Sequence, residues 1–140
     1  FGSQLQKRHL CSLRRILGVK NSATNWPVLR ECGQEPLQFY WFRSAIRFYN
    51  ALLICNSTTV RKVLGADREL SRDPGAKCWT SEILSAFEGL QGSVRYEQAV
   101  HRGTSINVQE FAVDLRARLC QTWFALDDAE PRGHEHNVTT

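Results

Sequence analysis

The chain has 140 residues, a formal net charge of +4, 42% hydrophobic residues and 23% charged residues. These values are ordinary for one globular domain, and no apolar run reaches the roughly 20 residues that a membrane-spanning helix requires. The first residues contain no apolar signal-peptide core. The sequence therefore predicts an intracellular protein, nuclear or cytoplasmic, with no membrane segment.

Apolar residues recur at helical spacing along most of the chain, and no segment alternates as a half-buried strand would. The predicted helices cover residues 4–17, 26–32, 36–55, 58–70, 79–90 and 107–126, with a short helical turn at 96–100. Glycine and proline separate them, for example Gly18 after the first helix and Pro74 after the fourth. The pattern predicts an all-α fold, an irregular bundle of about five or six helices formed by residues 1–127.

Each predicted helix has an apolar side that we expect to form the core. On the first helix this side consists of Leu5, Leu10, Leu13, Ile16 and Leu17. On the third it is a broad arc of Leu37, Trp41, Phe42, Ala45, Ile46, Phe48, Tyr49, Leu52 and Leu53. On the fourth it comprises Val60, Val63, Leu64 and Leu70. On the last it is a narrow stripe of Val108, Phe111, Leu115, Leu119, Trp123 and Leu126.

The two ends of the sequence do not show the pattern expected of a compact domain. Residues 128–140 have no apolar period and are predicted to form a disordered acidic tail. The sequence contains no methionine and opens on Phe1 in the middle of a pattern. Both features favour an internal piece of a longer protein or a degenerate gene fragment.

Residues for catalysis or metal binding are scarce. The five cysteines are widely spaced, without a C-x-x-C or a Cys/His cluster, and are therefore predicted to be buried free thiols. The adjacent acids Asp127 and Asp128 are predicted to be a solvated helix end, and His134, Glu135 and His136 lie in the predicted tail. We expect no enzymatic activity, no metal and no cofactor for this chain alone.

Positive charge is concentrated near the amino terminus, where residues 1–31 contain six cations and one anion. Four of these cations lie opposite the apolar side of the first helix: Lys7, Arg8, Arg14 and Arg15. Their spacing suits a phosphate backbone, which such side chains bind without reading its sequence. Arg43 and Arg47 on the third helix are predicted to extend this patch if the two helices pack side by side. The alternative is a solvated face without a partner.

One segment resembles a known family. The residues ILGV at 16–19 and WPVLRECGQEPLQFYWFRSAIRFYN at 26–50 resemble the region downstream of the polymerase in reverse transcriptases of LINE-type (non-LTR) retrotransposons. In that family a hydrophobic segment leads through an E-x-G-x-x-P turn, here residues 31–36, into a helix rich in aromatics and arginine. The stretches CWTSEILSAFEGL at 78–90 and INVQEFAVDLRARLCQTWFALDDAEPR at 106–132 look like its continuation, so the resemblance covers about residues 5–128.

The resemblance implies a non-catalytic helical module that follows the polymerase thumb and helps to position template RNA or target DNA. Its partners would be RNA or DNA and the remainder of the polymerase polyprotein. The RNA-directed DNA polymerase activity would belong to that remainder, because this chain contains no aromatic-x-D-D turn. Two other interpretations stay open: a structural or protein-interaction module docking on the polymerase body, and a decayed, non-functional fragment.

Overall fold

The computed structural model describes residues 3–129, and the side chains of residues 4–125. Within this part all regular secondary structure is helical, which confirms the predicted all-α class. The helices in chain order are α1 (Ser3–Leu17), α2 (Asn25–Glu31), α3 (Leu37–Leu53), α4 (Thr58–Leu70), α5 (Trp79–Ala86), α6 (Ser93–Arg102) and α7 (Val108–Ala129). The rest of the predicted tail, beyond Ala129, lies outside the described residues.

The chain divides into two compact units. The first comprises the chain up to Leu37 together with the part from Leu119 onwards. It contains α1, α2 and the carboxyl-terminal part of α7. The second extends from Gln38 to Arg118 and contains nearly all of α3, the three helices α4 to α6, and the beginning of α7.

Helix α1 ends in a turn that glycine adopts at low cost. Gly18 has a φ of 70°, in the left-handed region that side chains with a Cβ rarely enter. The Gly18 N–H donates to the Arg15 carbonyl at 3.2 Å, and the Val19 N–H donates to the Arg14 carbonyl at 3.1 Å. These two bonds satisfy carbonyl groups that would otherwise lack partners at the end of the helix.

The buried side of α1 differs from the predicted one. The interior residues of this helix are Gln6, Leu10 and Leu13. The Gln6 Oε1 accepts a hydrogen bond from the Leu37 N–H at 2.8 Å, and so satisfies a backbone donor at the start of α3. With Gln6 directed inwards, Leu5 and Ile16 are directed outwards and are 59% and 76% exposed; Leu17, the last residue of α1, is also exposed, at 37%. Their predicted place in the core was therefore wrong.

The core of the first unit is completed by α2 and the end of α7. Its other buried apolar residues are Trp26, Val28, Leu29, Pro36, Leu119 and Trp123. The Trp26 ring also packs against Phe124, with 5.8 Å between the ring centroids. Leu119 and Trp123 belong to the apolar stripe predicted for the last helix, and both are buried as predicted. The side chain of Leu126, the last residue of that stripe, lies outside the described residues.

In the second unit the core is built from all five helices from α3 to α7, with Leu64 as the contribution of α4. The largest of its fully buried side chains are Phe39, Ile46, Tyr49, Phe87, Val100, Phe111 and Leu115. Four residues predicted for the core are exposed instead: Trp41, Phe48, Val63 and Leu70. The apolar arc of α3 is wider than the surface that its neighbours cover, so part of it faces outwards.

Polar side chains of α3 fix the connection that precedes α7. The Asn50 Nδ2 donates to the Ile106 carbonyl at 2.7 Å, and the Ile106 N–H donates to the Asn50 Oδ1 at 2.9 Å. The Tyr49 hydroxyl donates to the Thr104 carbonyl at 3.0 Å, and burial raises the pKa of this tyrosine. One amide side chain thus satisfies both backbone groups of a buried isoleucine.

We therefore expect Asn50→Ala to lower the free energy of unfolding by about 2–3 kcal/mol, because it leaves a donor and an acceptor of Ile106 without partners. Urea denaturation followed by circular dichroism measures this change. The matched control is Asn56→Ala at an exposed position outside the helices, with an expected change within about 0.5 kcal/mol. Equal stabilities of the two variants would contradict this assignment.

A tyrosine joins α6 to α7. The buried Tyr96 hydroxyl donates to the Asp114 Oδ2, and the Arg95 Nη2 donates to that hydroxyl at 3.2 Å. Arg95 also forms ion pairs with Glu110 at 3.5 Å and Asp114 at 3.7 Å. Burial, followed by the hydrogen bond to Asp114, raises the pKa of Tyr96 to about 12. The neutral phenol is thus the form that the folded state stabilises.

The raised pKa predicts a loss of stability in alkali. Because the folded pKa of Tyr96 is above the unfolded value of 10.0, its contribution is complete below pH 10 and is lost as the pH rises towards about 12. The Tyr96→Phe variant should be less stable than the wild type at neutral pH. Its free energy of unfolding should also fall less than that of the wild type as the pH rises. Unfolding free energies measured from pH 8 to 11.5, roughly the range of phenol titration, test this. Parallel pH profiles for the variant and the wild type would refute it.

Candidate nucleic-acid interface

The exposed side of α1 carries three of the predicted contact residues. Lys7, Arg8 and Arg15 are all exposed; Arg8 and Arg15 lie on the side of the helix opposite its buried residues, and Lys7 lies at the flank of that side. Among the described residues none of the three forms an ion pair. Arg8 and Arg15 are seven residues apart, which places them about 10 Å apart along the helix axis. These cations are therefore available to an external anion.

Arg14 differs from its neighbours. It is half-buried, and its Nε and Nη2 donate to the Ala23 carbonyl at 3.2 and 2.9 Å. Its Nη2 also donates to the Asn25 Oδ1. The guanidinium thus holds the connector between α1 and α2 in place. Arg14 adds positive charge to this region, but most of its hydrogen-bonding capacity is used within the fold, so we do not count it as a principal phosphate contact.

Arg43 and Arg47 belong to the second unit. The Arg43 guanidinium lies over the Phe39 ring at 5.2 Å and over the Tyr40 ring at 5.4 Å, in cation–π geometry. Its Nε is buried and has no hydrogen-bond partner in the described part of the chain. Arg47 is exposed. Of the two residues, Arg47 is the one whose charge faces solvent, while Arg43 covers aromatic side chains of its own helix.

Two features of the first unit are absent from the predicted contact set. Lys20, one of the six cations counted near the amino terminus, is exposed three residues beyond the end of α1 and adds a further charge; that count was the available signal. The outward direction of Leu5 and Ile16 had no signal in the sequence, because it depends on the contact between Gln6 and Leu37.

The described residues offer little for catalysis or metal binding. They contain no group of three or more His, Cys, Asp or Glu side chains that could hold a metal ion. All five cysteines are free, as predicted, but they are half-buried rather than buried. The predicted helix end at Asp127 and Asp128 lies within α7, although its side chains are outside the described set, and His134 and His136 lie beyond the described residues altogether.

The second unit has an apolar groove. It has a volume of about 340 Å³ and is lined by Phe48, Leu52, Thr59, Val60, Val63, Leu64, Asp67 and Trp79. The Asp67 Oδ2 accepts hydrogen bonds from the Thr80 N–H, at 2.7 Å, and from the Thr80 hydroxyl. This carboxylate stabilises the start of α5, as an acidic group at a helix amino terminus does. The groove is suited to apolar side chains.

Comparison with models of known protein families, with curated proteins and with solved structures finds no match to this chain. In the part of the chain that the structure covers, no helix is both long and apolar enough to cross a bilayer.

Proposed function

We propose that this chain is a non-catalytic helical segment of a retrotransposon reverse transcriptase that binds RNA or DNA through the exposed basic side of α1. Lys7, Arg8 and Arg15 make the phosphate contacts. Two considerations support the proposal: the resemblance of residues 5–128 to the post-polymerase region of LINE-type elements, and the exposure of three cations on one side of one helix. The second is the observation that carries it.

The charge of residues 4–37 favours a polyanionic partner. This segment contains six cations and two anions. A local excess of one sign raises the local concentration of oppositely charged ligands and their association rate. Phosphate contacts of this kind supply affinity and register, whereas sequence must be read by other groups. The proposed role is therefore to hold a nucleic acid, in the nucleus or cytoplasm, for a polymerase elsewhere in the polyprotein.

Fluorescence anisotropy with a labelled oligonucleotide tests the proposal. At about 50 mM salt we expect the full chain to bind with a dissociation constant of about 1–100 µM, the range of sequence-independent contacts, and to release the oligonucleotide as salt is raised to about 200 mM. An absence of binding at the lower salt concentration, or an affinity that ignores salt, would contradict it.

The apolar groove of the second unit favours a different function, a structural or protein-interaction module that docks on the polymerase body. Phe48 and Val63, which line the groove, are both exposed, and exposed apolar patches commonly mark binding surfaces. In this case the chain should associate with itself as its concentration rises, and should not bind the oligonucleotide. Analytical ultracentrifugation together with the anisotropy titration separates the two functions.

A further inference from the structure

The exposed side of α1 carries two kinds of side chain. Lys7, Arg8 and Arg15 form what we call the cationic row, and Leu5 and Ile16 form the apolar row. Both apolar residues have more than half of their surface exposed, at 59% and 76%. Since each helical residue advances about 1.5 Å, the apolar row extends over about 16 Å.

The two rows lie side by side. Leu5 is three positions before Arg8, and residues at this spacing are neighbours on a helix surface. Ser12, which lies between the ends of the apolar row and four positions before Ile16, is four positions after Arg8 and three before Arg15. A ligand that contacts Arg8 and Arg15 therefore meets aliphatic surface on the adjacent strip, whereas Lys7 lies on the far side of the cationic row.

This combination discriminates between forms of nucleic acid. In a duplex the phosphates face outwards while the bases are stacked inside, so the apolar row would meet phosphates, and removing these charges from water against apolar surface is unfavourable. In a single strand the bases can turn away from the backbone and pack against protein side chains. Phosphates on the cationic row and bases on the apolar row satisfy both strips at once.

We propose that α1 binds single-stranded polynucleotide in preference to duplex, a refinement that rests on the proposed function. The shared chemistry is a flexible phosphodiester chain with unpaired bases, and both RNA and DNA provide it. Leu5 and Ile16 are the residues that set the preference, whereas Lys7, Arg8 and Arg15 supply the charge-dependent affinity.

The test compares single strands of about 12 nucleotides, a length within the range of single-strand binding sites, with the corresponding duplexes. The full chain should bind single strands about tenfold more tightly than duplexes, in separate RNA and DNA arms. The variant Leu5→Gln with Ile16→Gln should bind single strands about tenfold more weakly, with the same salt dependence and the same duplex affinity. Glutamine keeps a good helix propensity at both positions.

The matched control replaces two exposed apolar residues elsewhere, by Val94→Gln with Val113→Gln. These valines lie in the second unit and are 62% and 60% exposed. It should bind like the wild type. Equal affinity of the wild type for single strand and duplex would overturn the inference but leave the proposed function intact. An unchanged preference for single strands in the variant Leu5→Gln with Ile16→Gln would have the same consequence: it would overturn the inference and leave the proposed function intact. A chain that binds neither form would overturn the proposed function and this inference together.

Discussion

Replacing Phe111 with alanine should lower the free energy of unfolding by about 3–5 kcal/mol, the cost of a large cavity in a packed core. Phe111 is fully buried on α7. Its ring meets Phe87 edge-on at 5.8 Å and Tyr96 edge-on at 5.6 Å between centroids. These rings come from α7, from α6 and from the end of α5, so one deletion loosens three elements. Urea denaturation measures the loss, which is a large fraction of the about 5–15 kcal/mol typical of a domain.

Val113→Ala on the same helix is the control, since Val113 is 60% exposed. Its expected effect is within about 0.5 kcal/mol. If the Phe111 variant lost less than about 1 kcal/mol, the aromatic cluster would not be the centre of the second unit.

The largest functional effect is expected from neutralising the cationic row. The variant Lys7→Gln, Arg8→Gln and Arg15→Gln should bind an oligonucleotide roughly 100-fold or more weakly at about 50 mM salt, since each lost phosphate contact removes about one power of ten there. Glutamine is a good helix former, and the three side chains are exposed, so the fold should be retained. Circular dichroism and anisotropy titration on the same samples check both points.

The matched control removes the same charge elsewhere, by Arg72→Gln, Lys77→Gln and Arg102→Gln at exposed positions of the second unit. If net charge alone determined binding, both variants would lose affinity equally. We expect this control to bind within a few-fold of the wild type, because long-range attraction between exposed charges is screened beyond roughly 10 Å at 0.1 M salt.

The sequence predicts which side of a helix is buried where the helix has a narrow apolar stripe. On α7, Phe111, Leu115, Leu119 and Trp123 recur at helical spacing, and all four are buried. Such a pattern allows only one orientation of the helix. For α6 the sequence predicts only a short helical turn at 96–100, because its two buried residues, Tyr96 and Val100, are too few to mark a longer helix.

The orientation of α1 and α3 could not be predicted. Both have more apolar residues than one face requires, so several rotations would bury a similar area. For α1 the choice depends on the hydrogen bond from the Leu37 N–H to Gln6, whose partners are 31 residues apart in sequence. A polar side chain in the interior is not expected from periodicity, because it is stable there only with a specific partner.

For the candidate interface, the sequence predicts where the cations lie on the helix. It does not predict which of them can contact an external ligand. Lys7, Arg8 and Arg15 are exposed, as the opposite side of an amphipathic helix should be. Arg14 and Arg43 lie on similar sequence patterns, yet one binds a carbonyl and an amide, and the other covers aromatic rings. Which arginines are used within the fold depends on tertiary contacts alone.

The most direct test of the proposed function is the slope of log affinity against log salt for a single strand. Three phosphate contacts predict that the slope of the wild type is steeper by about 2 than that of the Lys7, Arg8 and Arg15 glutamine variant. Identical slopes for the two proteins would show that the exposed cations of α1 do not contact the polynucleotide, and would contradict the account.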